Sequence, residues 1–149
     1  MTTEFKKPLV MIVDDDQEDI YLAKRAFKAY RNDINLISAN SGAQMFEYLE
    51  GEGEYQGADV QLPCIILLDV NMPQLNGFEI IKMLRKEPKY AHIPVIMFTT
   101  SDAEEDVKRA YDSGANSYIC KSVNVEEMKK ITMRVCDFWL SLAKLPKVA

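Results

Sequence analysis

The sequence predicts an α/β fold in which five parallel strands form one doubly wound sheet with five helices on its two faces. Five short apolar runs alternate with five segments whose apolar residues recur every three or four positions, as buried strands and amphipathic helices require. The run at 64–68 is apolar at every position, which is typical of a strand inside a parallel sheet. The order of the strands does not follow from this pattern.

The five predicted strands are short and mostly apolar. They lie at residues 9–13, 34–39, 64–68, 94–98 and 116–120. The third is bounded by Pro63 and Asp69, and its composition indicates burial on both faces. Asp69 therefore lies at the carboxyl end of a central strand, which is where open parallel sheets bind ligands.

Helices are predicted between the strands from apolar spacing and from residues that begin or end helices. They cover residues 17–31, 41–51, a segment from the 73–77 turn to residue 86, 102–113 and 125–144. Asp16 is the expected N-cap of the first helix, and Gly114 follows the fourth in the C′ position. The fourth helix is expected to turn Val107, Ala110 and Tyr111 inward.

The last predicted helix carries more apolar residues than one core-facing stripe needs. The expected core stripe consists of Met128, Ile131, Val135, Phe138, Leu142 and Leu145, and a second apolar margin consists of Cys136, Trp139, Leu140 and Ala143. The surplus indicates either a wider core contact or a surface around Trp139 for a second copy or another partner.

Composition and charge limit the function classes. The 149 residues are 48% hydrophobic and 28% charged, which fits one globular domain over residues 1–149 with a core at about 8–144. The net charge of −5 and the lack of a Lys/Arg cluster argue against nucleic acid as a partner. No apolar run approaches the roughly 20 residues of a membrane span, so we expect no membrane contact and a cytoplasmic protein.

The three cysteines and the single histidine carry no recognisable motif. Cys64, Cys120 and Cys136 lie in apolar surroundings without CxxC or metal-ligand spacing, which predicts buried thiols with no redox or zinc role. His92 precedes a strand in a loop, so we expect a surface position and no part in phosphate relay.

Polar residues follow four of the predicted strands, and the carboxyl ends of parallel strands share one edge of the sheet. Asp14 and Asp15 follow the first strand, Asp69 the third, Thr99 the fourth and Lys121 the fifth. Each of them alone is consistent with a turn, a helix cap or a surface charge. Their common position predicts one polar pocket.

Three carboxylates in one pocket repel one another, and a hard divalent cation is the simplest way to neutralise them. Mg²⁺ prefers oxygen ligands and is held by one or two carboxylates together with phosphate oxygens and water. The pattern therefore indicates a phosphoryl site. Asp69 is the expected nucleophile, forming an aspartyl phosphate, and Lys121 and Thr99 would stabilise charge on the transferred oxygens.

These features resemble the receiver domain of two-component response regulators over nearly the whole chain. The matching motifs are Val13-Asp14-Asp15-Asp16, Leu68-Asp69-Val70-Asn71-Met72-Pro73 with Gly77, Phe98-Thr99-Thr100, and Tyr118-Ile119-Cys120-Lys121. The resemblance implies a flavodoxin-like fold with strand order 2-1-3-4-5. It also implies a signalling phosphoacceptor that promotes only its own phosphorylation and dephosphorylation.

The resemblance further implies a phosphoryl donor and a metal site. A histidine kinase or a histidine-phosphotransfer protein would supply the phosphoryl group to Asp69. Mg²⁺ would be bound by Asp15, Asp69 and the backbone carbonyl of Asn71, with Asp14 acting through water.

The resemblance also implies a conformational switch. Thr99 and Lys121 would contact the phosphoryl group, and the movement of Thr99 toward it would turn Tyr118 inward. This would change the surface formed by helix 4, strand 5 and helix 5. That surface would bind a downstream protein or a second copy of the chain, unless the phosphate is relayed to a second histidine.

One departure from the family pattern concerns the residue after Lys121. Most receivers have proline there, with a cis peptide bond, whereas this chain has Ser122. Because a cis bond to a non-proline residue costs about 3 kcal/mol, the bond is expected to be either trans or strained. The Lys-Ser pair, the acidic loop before the third strand and the Phe138-Trp139-Leu140 sequence resemble the small stand-alone regulators of phytochrome-like bacterial kinases.

Two other function classes share features with this sequence. A haloacid-dehalogenase-type phosphatase also uses an aspartyl phosphate and Mg²⁺, and its nucleophile would be Asp14. Against it, the chain length leaves no cap domain for a substrate. A pseudo-receiver would bind partners without accepting phosphate, although none of the key residues is missing.

Overall fold

The computed structural model describes residues 7–146. The strands are β1 (Leu9–Val13), β2 (Asn35–Ala39), β3 (Ile65–Leu68), β4 (Val95–Thr99) and β5 (Ser117–Cys120). The helices are α1 (Gln17–Tyr30), α2 (Gly42–Glu50), α3 (Gly77–Lys86), α4 (Glu104–Ser113) and α5 (Val125–Val135), and a π-helical segment (Cys136–Leu142) continues α5. The two ends of the expected 1–149 domain, residues 1–6 and 147–149, lie outside the described residues.

All five strands belong to one parallel sheet in the order β2-β1-β3-β4-β5. This is the order that the resemblance implied. One face of the sheet packs against α1 and α5 through Val10, Ile12, Ile65, Leu67, Ile96 and Phe98. The other face packs against α2, α3 and α4 through Met11, Val13, Ile66, Leu68, Val95 and Met97. Because alternate residues of a strand point to opposite faces, the continuous apolar runs follow from burial of both faces, and the doubly wound prediction is confirmed.

The register of the sheet brings the ends of its strands together. Val13 pairs with Leu68, and the Asp69 N–H donates to the Val13 carbonyl at 3.0 Å. Further along the edge, the Lys121 N–H donates to the Thr99 carbonyl at 2.7 Å. The residues that follow β1, β3 and β5 are therefore held by backbone hydrogen bonds at one edge of the sheet.

The two helix ends that were predicted from specific residues, Asp16 before α1 and Gly114 after α4, are confirmed. The Asp16 carboxylate accepts from the N–H groups of Glu18 and Asp19, at 2.9 and 3.2 Å, and so caps α1. Gly114 follows α4 with a φ of 114°, a conformation that glycine adopts without steric cost. Across residues 7–146, no helix is long and apolar enough to cross a membrane.

The Lys121–Ser122 peptide bond is trans, one of the two alternatives that the sequence left open. The Ser122 hydroxyl accepts from the Asn124 N–H at 3.1 Å and donates to the Glu127 carboxylate at 3.0 Å. Side-chain hydrogen bonds to the first turn of α5 thus shape a loop in which most receivers have a proline ring.

Tyr111 does not face inward, so that prediction is wrong. Its side chain is 50% exposed, whereas Ala110 and Ser113 of the same helix are buried. Successive residues of an α-helix differ by about 100°, so Tyr111 lies outside the stripe that Ala110 and Ser113 define.

The expectation of three buried thiols is also wrong in part. Cys136 is buried and Cys64 is half-buried, but Cys120 is exposed. Cys120 is the last residue of β5, which is the edge strand of the sheet formed by residues 7–146. The apolar sequence around it does not reveal that position. His92 is exposed, as expected.

The last helix departs from the prediction after Val135. The π-helical segment ends it at Leu142 rather than at residue 144. A π turn holds an extra residue, which rotates the following side chains relative to an α-helix. Phe138 and Leu142, expected in the core, are therefore 49% and 74% exposed. Trp139 and Leu140 take their place, partly buried against the core on the α1 face.

Candidate functional site

Three carboxylates meet at the carboxyl edge of the sheet. Asp14, Asp15 and Asp69 each offer an oxygen, and these oxygens lie within 4.8 Å of one another. Asp14 is buried, Asp69 is half-buried and Asp15 is exposed. The Asp14 carboxylate accepts from the Asp16 N–H at 2.9 Å, and the Asp69 carboxylate accepts from the Val70 N–H at 2.8 Å. Backbone donors thus orient two of the three groups.

Lys121 extends from the end of β5 into this carboxylate cluster. Its ammonium donates to the Asp14 carboxylate, lies 3.0 Å from Asp19 Oδ2, and lies 3.7 Å from Asp69 Oδ2. The Lys121 side chain is only 8% exposed, and its Nζ lies 5.7 Å from the centre of the Phe98 ring. A cation buried to this extent is stable only beside anionic partners.

Burial and neighbouring charge act together on the two reactive groups. Burial raises the pKa of the Asp69 carboxyl, and the nearby Asp14 charge adds to that rise. The Lys121 charge and the Thr99 hydroxyl lower the same pKa, but the net shift is upward. Burial alone would lower the pKa of Lys121, but the Asp14 hydrogen bond and the Asp69 charge raise it above its usual value. The lysine is therefore a fixed positive charge in the site at neutral pH.

Thr99, the last residue of β4, is fully buried and is linked to β5 through the β4–α4 loop. The Ser101 N–H lies 3.4 Å from the Thr99 hydroxyl oxygen. The Ser101 carbonyl accepts from the half-buried Tyr118 hydroxyl at 2.9 Å, and the Ser101 hydroxyl donates to Asp106 at 2.6 Å. Ser101 thus contacts the threonine of the site, the aromatic residue of β5 and the first turn of α4.

The loop after Asp69 is held by a close backbone approach. The Gly77 N–H donates to the Val70 carbonyl at 2.9 Å. A Cβ on Gly77 would lie 2.4 Å from the Asp69 carbonyl oxygen, so only glycine fits there without displacing the backbone. Asn71, whose carbonyl is the expected metal ligand, lies exposed in this loop.

Asp19 contacts Lys121 from the first turn of α1, and this contact was not predicted from the sequence. The available signal was an acidic residue one helical turn after the Asp14-Asp15 pair. That signal is weak, because acidic residues are common in the first turn of any helix, where they stabilise the N-terminal end of the helix dipole. The position of Ser101 between Thr99 and Tyr118 was missed as well, because it depends on the loop conformation.

The sequence matches the family described as the response regulator receiver domain over residues 10–133. It is 32% identical over 147 residues to the response regulator Rcp1 of Synechocystis sp., a match that covers 98% of this chain and 99% of Rcp1. The solved structure of the phosphorylated cyanobacterial phytochrome response regulator RcpA is 34% identical, with a TM-score of 0.85 over 94% of this chain and 99% of RcpA. The Mn²⁺-bound form of Rcp1 is 31% identical, with a TM-score of 0.83 and the same coverage.

The matched range contains all four motifs that carried the resemblance, and the fold agrees over nearly the full length of both solved structures. These findings favour the receiver over the phosphatase considered from sequence. The chain belongs to the response regulator receiver domain family.

Proposed function

We propose that this chain is a single-domain response regulator that accepts a phosphoryl group on Asp69 in a Mg²⁺-dependent reaction. The observation that carries the proposal is the meeting of the Asp14, Asp15 and Asp69 carboxylates with the buried Lys121 ammonium at one sheet edge. A site with this combination can hold both a cation and the oxygens of a transferred phosphoryl group.

The donor set fits a divalent cation. Three carboxylate oxygens within 4.8 Å of one another are hard ligands, and two of the groups retain access to solvent for bound water. In the proposed site, Asp15, Asp69 and the Asn71 carbonyl would hold Mg²⁺, and Asp14 would act on it through water. The existence of a Mn²⁺-bound structure of Rcp1 supports divalent-cation binding by this chain as well. When bound, the ion neutralises charge on the phosphoryl oxygens.

The proposed reaction moves one phosphoryl group between two nucleophiles. A lone pair of the Asp69 carboxylate forms a P–O bond as the P–N bond to the donor histidine breaks. The electron pair of the broken bond stays on the imidazole nitrogen, and a proton on the other ring nitrogen leaves the imidazole neutral. The Lys121 ammonium and the Thr99 hydroxyl donate to the phosphoryl oxygens as their charge develops. The signal ends by hydrolysis. Water attacks phosphorus, the Asp69 carboxylate leaves, and inorganic phosphate and one proton are released.

A histidine kinase or a histidine-phosphotransfer protein is the proposed donor, since the P–N bond of phosphohistidine is the bond broken. The similarity to the phytochrome response regulator RcpA supports a phytochrome-type kinase. Net charge −5 agrees with a protein rather than a nucleic acid as the partner. A cytoplasmic location stays a prediction.

The proposed output is a change in the surface formed by α4, β5 and α5. Movement of Thr99 toward the phosphoryl group would alter its contact with Ser101, whose carbonyl holds the Tyr118 hydroxyl. The altered surface would bind a downstream protein or a second copy of the chain. Trp139 is a weaker candidate for that contact than the sequence suggested, because it packs against the core while Phe138 is half exposed.

The proposal is tested by intact-protein mass during incubation with phosphoramidate, with Mg²⁺ or with a chelator. We expect a gain of one phosphoryl group that requires Mg²⁺. The variant Asp15→Asn should need at least about tenfold more Mg²⁺ for half-maximal rate, and Asp102→Asn, an exposed aspartate at the same edge, should behave as the natural chain. A natural chain that gains no mass with any phosphoryl donor would instead favour a pseudo-receiver.

A further inference from the structure

Asp19 is a charged group of the site that the family motifs do not include. It lies in the first turn of α1, with its Oδ2 atom 3.0 Å from Lys121 Nζ. The side chain of Lys121 is 8% exposed and that of Asp19 is 34% exposed. This contact therefore closes the buried ion pair of Lys121 and Asp14 on its solvent side.

The hydrogen bonds of the Lys121 ammonium show what this contact does. An ammonium has three N–H donors. Asp14 and Asp19 accept from two of them. Within residues 7–146, the next carboxylate oxygen is Asp69 Oδ2 at 3.7 Å, which is too far for a hydrogen bond. The third N–H can therefore turn toward Asp69, the nearest carboxylate that does not already accept from the ammonium.

We propose that Asp19 is a positioning residue that, together with Asp14, holds the Lys121 ammonium with its third N–H toward the oxygen that a phosphoryl group brings to Asp69. The inference rests on the proposed phosphoryl transfer to Asp69. A lysine side chain is a flexible four-carbon stem ending in a rotating ammonium. Two fixed acceptors define both the place of the nitrogen and the direction of the remaining donor, which one acceptor does not.

Asp19 acts through Lys121 and not through the metal site. Its carboxylate is not part of the group whose oxygens lie within 4.8 Å of one another. Its charge alone would hinder the reaction, because a negative group beside an anionic phosphoryl donor opposes the approach of that donor. Simple electrostatics thus predicts faster phosphorylation when Asp19 is removed, and positioning predicts slower phosphorylation.

The test is the rate of phosphorylation at saturating Mg²⁺ and at phosphoramidate concentrations below saturation, where the approach of the donor contributes to the rate, in matched variants. We expect Asp19→Ala to be about tenfold slower than the natural chain, since misplaced catalytic groups cost rate steeply. Asp19→Asn, which keeps an acceptor oxygen, should restore the rate to within about threefold. Glu18→Ala is the control, because it removes the same charge one residue away in an exposed position of the same helical turn.

A double variant separates positioning from a general loss of stability. If Asp19 acts through the ammonium, Asp19→Ala should have no further effect on rate in a Lys121→Ala chain. An equal effect in both backgrounds, or equal rates for Asp19→Ala and Glu18→Ala, would overturn the role of Asp19 and leave the proposed function standing. A natural chain that accepts no phosphoryl group would overturn both.

Discussion

The two sides of the sheet edge are held in different ways. On the acceptor side, formed by Asp14, Asp69 and Gly77, the backbone is fixed by hydrogen bonds between central strands and by the close approach of α3. On the response side, formed by Ser101, Tyr118 and Cys120, burial is partial. The edge strand β5 pairs with β4, but the β4–α4 loop is tied to β5 through side-chain hydrogen bonds from Tyr118 and Cys120 to the Ser101 carbonyl. A single hydrogen bond contributes only about 1 kcal/mol. The site therefore combines a rigid acceptor with a neighbour that can rearrange at low cost.

Lys121 joins the two sides, and its removal should have the largest effect. Lys121→Ala deletes a donor aimed at developing charge, so we expect phosphorylation to slow by about 100- to 1,000-fold. Lys129→Ala is the control, because Lys129 is about half exposed and, among residues 7–146, pairs only with Glu126. Phosphoramidate kinetics at saturating Mg²⁺ measures both. A loss below about threefold for Lys121→Ala would contradict the role of this lysine.

Thiol labelling compares the exposed Cys120 at the end of β5 with the less accessible Cys64 and Cys136. Burial raises the pKa of Cys64 and of Cys136 to about 11. At pH 8 only about one such thiol in a thousand is the reactive thiolate, whereas Cys120 is exposed. We expect Cys120 to be alkylated at least about 100-fold faster than the other two, measured by peptide mass mapping. Faster labelling of Cys64 or Cys136 in the folded chain would contradict this burial.

Gly77→Ala tests the rigidity of the acceptor side. The added Cβ would meet the Asp69 carbonyl at 2.4 Å, and backbone must move to relieve it. We expect the free energy of unfolding to fall by about 2 to 3 kcal/mol, measured by urea titration. At Gly42, the Cβ would meet the end of the Ile80 side chain at 2.9 Å, which can shift. If Gly42→Ala and Gly77→Ala lower the free energy of unfolding equally, the Asp69 backbone does not restrict the residue at position 77 as proposed.

Tyr118→Phe should have the smallest effect. It removes the hydrogen bond to the Ser101 carbonyl from a half-buried site, so we expect a loss of about 1 kcal/mol or less in the free energy of unfolding. The phosphorylation rate should stay within about twofold of the natural chain, because the Tyr118 hydroxyl donates to the Ser101 carbonyl and not to the Asp69 carboxylate. Tyr111→Phe, at an exposed tyrosine, controls for the change of residue. Loss of phosphorylation in Tyr118→Phe would show that the chemistry of the acceptor side depends on the Tyr118 hydrogen bond of the response side.

The same contrast explains what the sequence could predict. The acceptor side could be predicted from local signals. Asp69 ends an apolar run, and Asp14 and Asp15 directly follow β1. In a parallel sheet, the carboxyl ends of these strands lie at one edge, so the three carboxylates are expected together. The contacts of Asp19 with Lys121 and of Ser101 with Tyr118 join distant segments, and the local sequence marks them weakly or not at all. The last helix shows the same limit, because the π-helical segment rotates Phe138 and Leu142 outward without any change in apolar spacing.

The most direct test of the account is which aspartate carries the phosphoryl group. Asp69→Asn, Asp14→Asn and the natural chain would be incubated with Mg²⁺ and acetyl phosphate, and their intact masses compared. Acetate leaves as its bond to phosphorus breaks, so each acceptor gains one phosphoryl group. We expect the gain in the natural chain, none in Asp69→Asn, and a slower gain in Asp14→Asn. A phosphoryl group retained by Asp69→Asn and lost in Asp14→Asn would contradict the account.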